Sequence, residues 1–297
     1  WRKENREVHK FLRAIGFSDI TKKDLEMILD EVITRPEIMK ITKDSEGNEF
    51  AELSGSFAAN AGITVRGTYQ EDDSFHMDYY YPYVFGTSIT TNEQIDVEKH
   101  AEKESYAGVC DEVNLGVTLI FYIQNVADYL AETNRHLSKI HYGAMLAGLS
   151  TEGKILCPVV ERKKNDVPAI QKNDRHNQLI AQAREGDEDA IESLTLEDMD
   201  TYALLSQRVM KEDIFSIVKS TFMPFGIESD QYTVLGEIID CVTMENKLTH
   251  EKLYGMKLLC NNIQFDVCIN EKDLLGEPAI GRRFRGNVWM QGNLCLE

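Results

Sequence analysis

The feature that most constrains this chain is the alternation near its C-terminus. Ile263, Phe265, Val267 and Ile269 fall at every second position, with Gln264, Asp266 and Cys268 between them. Period two is the spacing of a strand that buries one face, since successive side chains leave a strand on opposite sides. The same reading extends to Tyr232–Val242, Lys252–Leu259, Arg283–Met290 and Asn293–Leu296, giving five strand candidates. Gly236, Gly255, Gly286 and Gly292 lie in or beside them, as glycines do at barrel bends. Five strands with an insertion between the third and fourth predict a small β-barrel-like domain over residues 226–297, with the oligonucleotide-binding (OB-like) barrel as one form of it.

The N-terminal part mixes periods. Glu4–Ile15 reads as a helix closed by Gly16, and Thr21-Lys22-Lys23-Asp24 as a helix cap followed by a stripe of Leu25, Ile28, Leu29 and Val32, ending at Pro36. From Ile38 to about Tyr81 the pattern is strands, with turns at Ser45–Asn48 and Glu71–Ser74. Strands resume over Ser105–Cys110 and Leu115–Gln124, followed by a short helix, Val126–Glu132. A hairpin is expected from Tyr142–Leu149 and Lys154–Val160 about a turn at Thr151–Gly153. Glu161–Pro168 reads as a linker, and Lys172–Phe222 as helices with caps at Asp187 and Thr195 and a buried stripe of Ile214, Phe215, Val218 and Phe222. The acid run Glu185–Asp200 reads as a solvated helical face. The fold class expected is therefore α+β, in three parts: an N-terminal antiparallel sheet with helices (1–165), a helical connector (166–225) and the C-terminal barrel-like domain (226–297).

Charge narrows the partners. Fifty Asp and Glu stand against 32 Lys and Arg, a formal charge of −18. That argues against broad contact with nucleic acid or an anionic membrane. No apolar run approaches the length needed to cross a bilayer; the most apolar segment is Val117–Ile123. The opening residues carry no secretory pattern, and the expectation is a cytoplasmic protein. The six cysteines are scattered without a Cys-x-x-Cys pair and are expected to be structural thiols.

Tests for catalytic motifs fail one after another. Gly148-Leu149-Ser150-Thr151-Glu152-Gly153-Lys154-Ile155 begins like a phosphate loop, but Ile155 stands where a magnesium-binding hydroxyl is required, and no helix follows the lysine. There is no Gly-x-Ser-x-Gly elbow and no His-Glu-x-x-His pair. The Asp187–Asp189 stretch lacks the rest of a calcium loop. No catalytic residue, metal ligand or cofactor is assigned.

Two segments remain as binding candidates. Tyr79, Tyr81 and Tyr83 lie in the aromatic run Tyr79–Phe85, where stiff rings with polar tips suit recognition and equally suit inward packing. Arg283, Arg285 and Trp289 share one face of a strand whose other face carries Phe284, Val288 and Met290. Arginines beside an exposed tryptophan would hold a phosphate and stack a base; the alternative is arginine packed internally on the indole and paired with local acids.

His9–Phe17, Leu119–Tyr122, Asp266–Asn270 and Gly276-Glu277-Pro278 through Gln291-Gly292 resemble an uncharacterised family of proteins from clostridial Firmicutes. The resemblance spans the chain from about Val8. It implies a cytoplasmic location, an anaerobic Firmicute source and an upstream extension over Trp1–Glu7; it carries over no functional residue. The function expected is non-enzymatic binding or adaptor work with a protein partner. The rivals are an enzyme whose site assembles in the N-terminal domain, around Asp78, Tyr81 or His76, and single-stranded nucleic-acid binding by the C-terminal barrel.

Overall fold

The structure, a computed structural model, describes residues 8–99, 104–135, 141–159, 218–227 and 230–296, with isolated positions between 182 and 193. The first expected helix is a 3-10 helix, Lys10–Ile15, capped by His9, whose Nδ1 accepts from the Phe11 N–H. Gly16 closes it at φ 93°, a conformation glycine reaches without steric cost. Thr21 caps α1 (Lys22–Thr34) as its sequence predicts, its hydroxyl accepting from the Asp24 N–H, and α1 buries Leu25, Leu29 and Val32. The expected segment Glu4–Glu7 and the extension Trp1–Glu7 lie outside the described residues.

A four-stranded antiparallel sheet follows, in chain order: β1 (Ile38–Lys43), β2 (Glu49–Ala58), β3 (Ala61–Tyr69) and β4 (Phe75–Val84). Its first and last turns are those read from the sequence. Pro82 does not end pairing: β4 runs past it, opposite Ile63, because β4 is the sheet's last strand and needs no ladder donor on its free side.

The second sheet holds β5 (Thr91–Lys99), β6 (Tyr106–Glu112), β7 (Val117–Ile123), β8 (His141–Leu156), β9 (Thr221–Pro224), β10 (Gln231–Glu245), β11 (Lys252–Cys260), β12 (Ile263–Asn270), β13 (Leu274–Leu275) and β14 (Arg283–Leu294), with helix α2 (Val126–Asn134) between β7 and β8. Its axis is the antiparallel pair β8–β14, in register from Leu294 opposite Ala144 to Arg283 opposite Leu156. β5 and β12 pair with the outer edge of β8, and β7 and β10 with that of β14. The pairings therefore close two circuits of five strands: β5–β6–β7–β14–β8 and β10–β11–β12–β8–β14. Each circuit has four antiparallel pairs and one parallel pair. Topologically the second circuit repeats the first: a three-strand meander, a crossover, then a strand that joins the central pair and closes the other meander's circuit.

This arrangement corrects several expectations. Tyr142–Leu149 and Lys154–Val160 are not a hairpin; His141–Leu156 is one strand, bulged where Ser150 and Glu152 face Val288 and Asn287. Its glycines resemble turn residues because a ring lies against the strand: a Cβ on Gly153 would come within 2.4 Å of Phe284 Cε2. Arg283–Met290 and Asn293–Leu296 are one strand, β5 was not foreseen, and Phe222 lies in strand β9 rather than on a helical stripe. Nor does the chain divide at 165 and 226. Trp1–Leu156 and Ser220–Glu297 form one unit, since β14 zips onto β8, and Cys157–Lys219 forms the other. In that second unit Asp187 acts as the expected cap, its Oδ1 accepting from the N–H groups of Asp189 and Ala190. Most of the expected connector helices, with Thr195, Ile214 and Phe215, lies outside the described residues.

Two apolar cores result. One lies mainly on the second sheet and contains Phe121, Phe265, Phe284, Val288 and Met290, with Phe50 of β2 and Val126 and Leu130 of α2. The other joins the four-stranded sheet, α1 and the 3-10 helix to the opposite face of β8, β12 and β14, through Ala147, Leu149, Cys268 and Trp289. All six cysteines are free thiols. Burial pushes Cys110, Cys260 and Cys268 up to about 12, which suits packing roles rather than nucleophiles. No helix among the described residues is long and apolar enough to cross a membrane.

Candidate functional site

One face of the four-stranded sheet is polar, and the register assembles it. Glu52 stands opposite Arg66, and Arg66 opposite Tyr79; two residues along, Ser54 stands opposite Thr64, and Thr64 opposite Tyr81. Period two puts both rows on the same side. That side meets the end of β7 and the start of α2.

Arg66 is wholly buried and fully engaged. Its Nε donates to Glu52 Oε1 at 2.7 Å, Nη1 to the hydroxyls of Tyr79 and Tyr122, and Nη2 to the Tyr81 hydroxyl and the carbonyls of Ile123 and Gln124. Burial alone would disfavour its charge, yet Tyr122, Tyr79, Tyr81 and Glu52 hold its pKa well above the ordinary value. The other Glu52 oxygen accepts from the Ala127 N–H in the first turn of α2, where a carboxylate complements the helix dipole. This group ties the two sheets together at the β7–α2 junction. The network runs outward from there: the Tyr79 hydroxyl donates to the Glu104 carbonyl, and the Glu104 carboxylate accepts from Lys99, Ser45 and Tyr106.

Beside the clamp lies a cleft of about 320 Å³, lined by Lys40, Glu52, Ser54, Thr64, Gln124, Asn125, Asp128 and Asn293, with Ile38, Phe85, Met145 and Leu294 as its apolar wall. Lys40 and Asp128 form an ion pair at 2.6 Å, half exposed on its side. Ser54 and Thr64 hydroxyls bond to each other at 2.8 Å. Gln124 is 5% exposed; its Nε2 donates to the Val84 carbonyl and to Gln291 Oε1. Gln291 in turn donates to the Pro82 carbonyl and accepts from the Val84 N–H, so the two glutamines serve the backbone of β4. Among the described residues no donor reaches Gln124 Oε1, which is buried. Most buried polar atoms in folded proteins find a partner, so such an orphan calls for an explanation.

The residues singled out from the sequence fall into two groups. Tyr79 and Tyr81 belong to the clamp, and Tyr83 is buried behind Phe85, with ring centroids 4.3 Å apart. Burial raises the phenol pKa values of Tyr81 and Tyr83, so neither is a ready base. Trp289, whose exposure the nucleic-acid-binding alternative required, is 7% exposed: its ring packs on His9, Phe11 and Tyr122, and its Nε1 donates to Asp230. Arg283 is buried and Arg285 partly so. On the face of β14 opposite Phe284, Val288 and Met290, His9 and Phe11 of the N-terminal segment pack on Trp289, so the solvent-facing alternative does not hold at that residue. Of the residues named for an enzymatic site, His76 is exposed on β4, Asp78 occupies the bulge opposite the Arg66–Gly67 step, and Tyr81 is in the clamp. They do not converge, and among the described residues no three His, Cys, Asp or Glu side chains gather as a metal site.

Sequence reasoning missed Glu52, Arg66, Gln124 and Gln291. A signal for the first two exists: polar or aromatic residues at alternate positions in three successive strands, Glu52-Ser54, Thr64-Arg66 and Tyr79-Tyr81. For the glutamines none does, since each lies on an apolar strand or at its end.

No curated protein and no solved structure matches the chain. A family profile matches residues 12–292, and the chain therefore belongs to the family described as "Domain of unknown function, E. rectale Gene description (DUF3881)".

Proposed function

We propose that this chain is a non-enzymatic binding protein whose ligand enters the cleft between the polar face of β1–β4, the start of α2 and the end of β14. The observation that carries the reading is the cleft of about 320 Å³ itself, which sets Ser54, Thr64, Gln124 and Asn125 beside Ile38, Phe85, Met145 and Leu294. A small number of polar groups placed against an apolar wall is the usual composition of a ligand site. The clamp behind it is rigid and charge-balanced, which suits holding a shape more than moving a proton. Tyr79, Tyr81 and Tyr83 serve as the back of the site. Arg283, Arg285 and Trp289 act as supports that hold β14 in place.

The test is thermal unfolding of the full chain against a panel of small polar molecules, with Met145→Trp as the blocked control. A ligand that raises the midpoint for the natural chain and leaves Met145→Trp unmoved supports the reading. Equal shifts in both proteins would remove the cleft from consideration.

The second circuit, β10–β11–β12–β8–β14, supports a reading as a small barrel, with the strand number of the oligonucleotide-binding kind. Nucleic acid as its occupant is disfavoured by the charge of −18. Free thiols and the family resemblance favour a clostridial, cytoplasmic setting, and a protein partner would add to cleft binding rather than replace it.

A further inference from the structure

The outer edge of β1 is a second surface suited to a partner, and it stands apart from the cleft reading. β1 is the last strand of its sheet and pairs only with β2. Where this ladder ends, the Asp44 N–H donates to the Asn48 carbonyl. Bonded residues alternate along an antiparallel pair, so Thr42 and Lys40 bond to β2, while Met39 and Ile41 turn their N–H and C=O groups away from it. Among the described residues no strand receives them. The Lys43 carbonyl accepts from Asn134 Nδ2, which marks where the open stretch stops. Ile38, Met39 and Ile41 are 45%, 56% and 46% exposed, so the edge is apolar as well as unpaired. Such an edge is a template for one more strand.

Charge decides which kind of strand. Lys40 is paired with Asp128. Arg35 stands just before β1, Lys43 at its end, and Arg135 lines the same hollow of about 590 Å³ as Lys43; all three are exposed. Among the described residues none of these three cations has an acidic partner. Of the nearby acids, Glu37 pairs with Lys247, and Glu49 faces Lys43 across the ladder without an ion pair. Charges more than about 8 Å away are largely screened at physiological ionic strength, so the local cations outweigh the net charge of −18. Lysines on an edge discourage pairing with a second copy of the same strand, whereas opposite charges across a ladder favour pairing.

We infer that β1 accepts an extended segment of a partner protein, apolar at alternate positions and acidic at its ends, as one more strand of the sheet. Main-chain hydrogen bonds to Met39 and Ile41 supply affinity, and acids facing Arg35, Lys43 and Arg135 supply selectivity.

The experiment is fluorescence anisotropy of the full chain with a labelled peptide, Asp-Asp-Val-Thr-Val-Thr-Asp-Asp, and with its counterpart carrying lysine at each aspartate. The expected result is saturable binding of the acidic peptide, about tenfold or more tighter than that of the lysine peptide. Ile41→Pro removes one outward N–H and no bond to β2, at a position where an edge strand tolerates proline. It is expected to weaken binding about tenfold or more. Lys43→Glu combined with Arg135→Glu is expected to reverse the preference between the two peptides. Ile41 and Arg135 do not line the cleft, so neither result bears on the cleft reading. Urea unfolding establishes that each variant is folded. Binding unchanged in Ile41→Pro, a preference unmoved by the charge reversal, or binding of neither peptide overturns the inference. Sedimentation that finds the free chain dimeric and Ile41→Pro monomeric gives the edge to a second copy and overturns it as well.

Discussion

The clamp permits a sharp test of what holds the two sheets together. In Arg66→Met the apolar stem is kept and the guanidinium removed. Glu52, 4% exposed, retains only the Ala127 N–H; the carbonyl of Ile123 and the hydroxyls of Tyr79, Tyr81 and Tyr122 lose a donor. Because the pair is buried, solvent screening does little to soften the loss. Removing one partner of such a pair costs about 3–5 kcal/mol, a large share of a total stability of roughly 5–15 kcal/mol. The stranded carboxylate accounts for much of that cost, so neutralising it should recover part. Glu52→Gln on the Arg66→Met background is expected to restore at least about 1 kcal/mol, although Glu52→Gln alone destabilises. Urea unfolding at neutral pH, with slopes compared so that shifts in midpoint report stability, measures all three variants. The reasoning is refuted if Arg66→Met costs under about 1 kcal/mol, or if the double variant is no more stable than the single one.

Three further predictions concern other parts of the molecule. Burial, with a smaller effect from Lys10, pushes His9 down to about 4, and its Nδ1 can accept from the Phe11 N–H only when unprotonated. The unfolded chain takes up this proton near pH 6.5. Stability should therefore be full above that pH and decline by up to about 3 kcal/mol as pH falls towards 4; His9→Asn, which keeps a capping oxygen, should lose this slope in unfolding measured from pH 8 to 4. Burial would raise the Glu104 pKa, but hydrogen bonds from Lys99, Ser45 and Tyr106 outweigh it and hold it below the ordinary value. Its contribution is present above the ordinary carboxylate pKa and lost as pH falls through the lowered one, so Glu104→Gln should flatten the most acidic part of the stability curve. Trp289→Ala should cost about 3–5 kcal/mol in chemical denaturation, as loss of a buried indole does; unchanged stability would contradict its packing on His9, Phe11 and Tyr122.

Local signals in the sequence were good wherever one segment determined its own state. The Thr21 cap, the stripe of Leu25, Leu29 and Val32, the turns at Ser45–Asn48 and Glu71–Ser74, and the alternation over Ile263–Ile269 all appear as read, because each depends on neighbouring residues and the period of one element. Reading failed where a residue's meaning came from a distant strand. Gly153 marks the passage of Phe284 and not a turn, and Gly292 does not break β14, because each lies opposite β8, far away in the chain. The aromatic run Tyr79–Phe85 stood out, but the arginine that organises it lies on the adjoining strand.

Composition and periodicity by themselves determined that this is an acidic chain of strands with a few capped helices and no recognisable catalytic motif. Tertiary structure alone decided that β8 and β14 pair, which merges the supposed N- and C-terminal domains into one unit and buries Trp289. It also decided that Glu52, Arg66 and three tyrosines meet at a helix start, and that Gln124 Oε1 is buried without a donor among the described residues. The physical reason is common to all of these. Strand pairing fixes register over long sequence separations, and once register is set, period two determines which side chains share a face. Nothing within a single strand says which other strand it will meet.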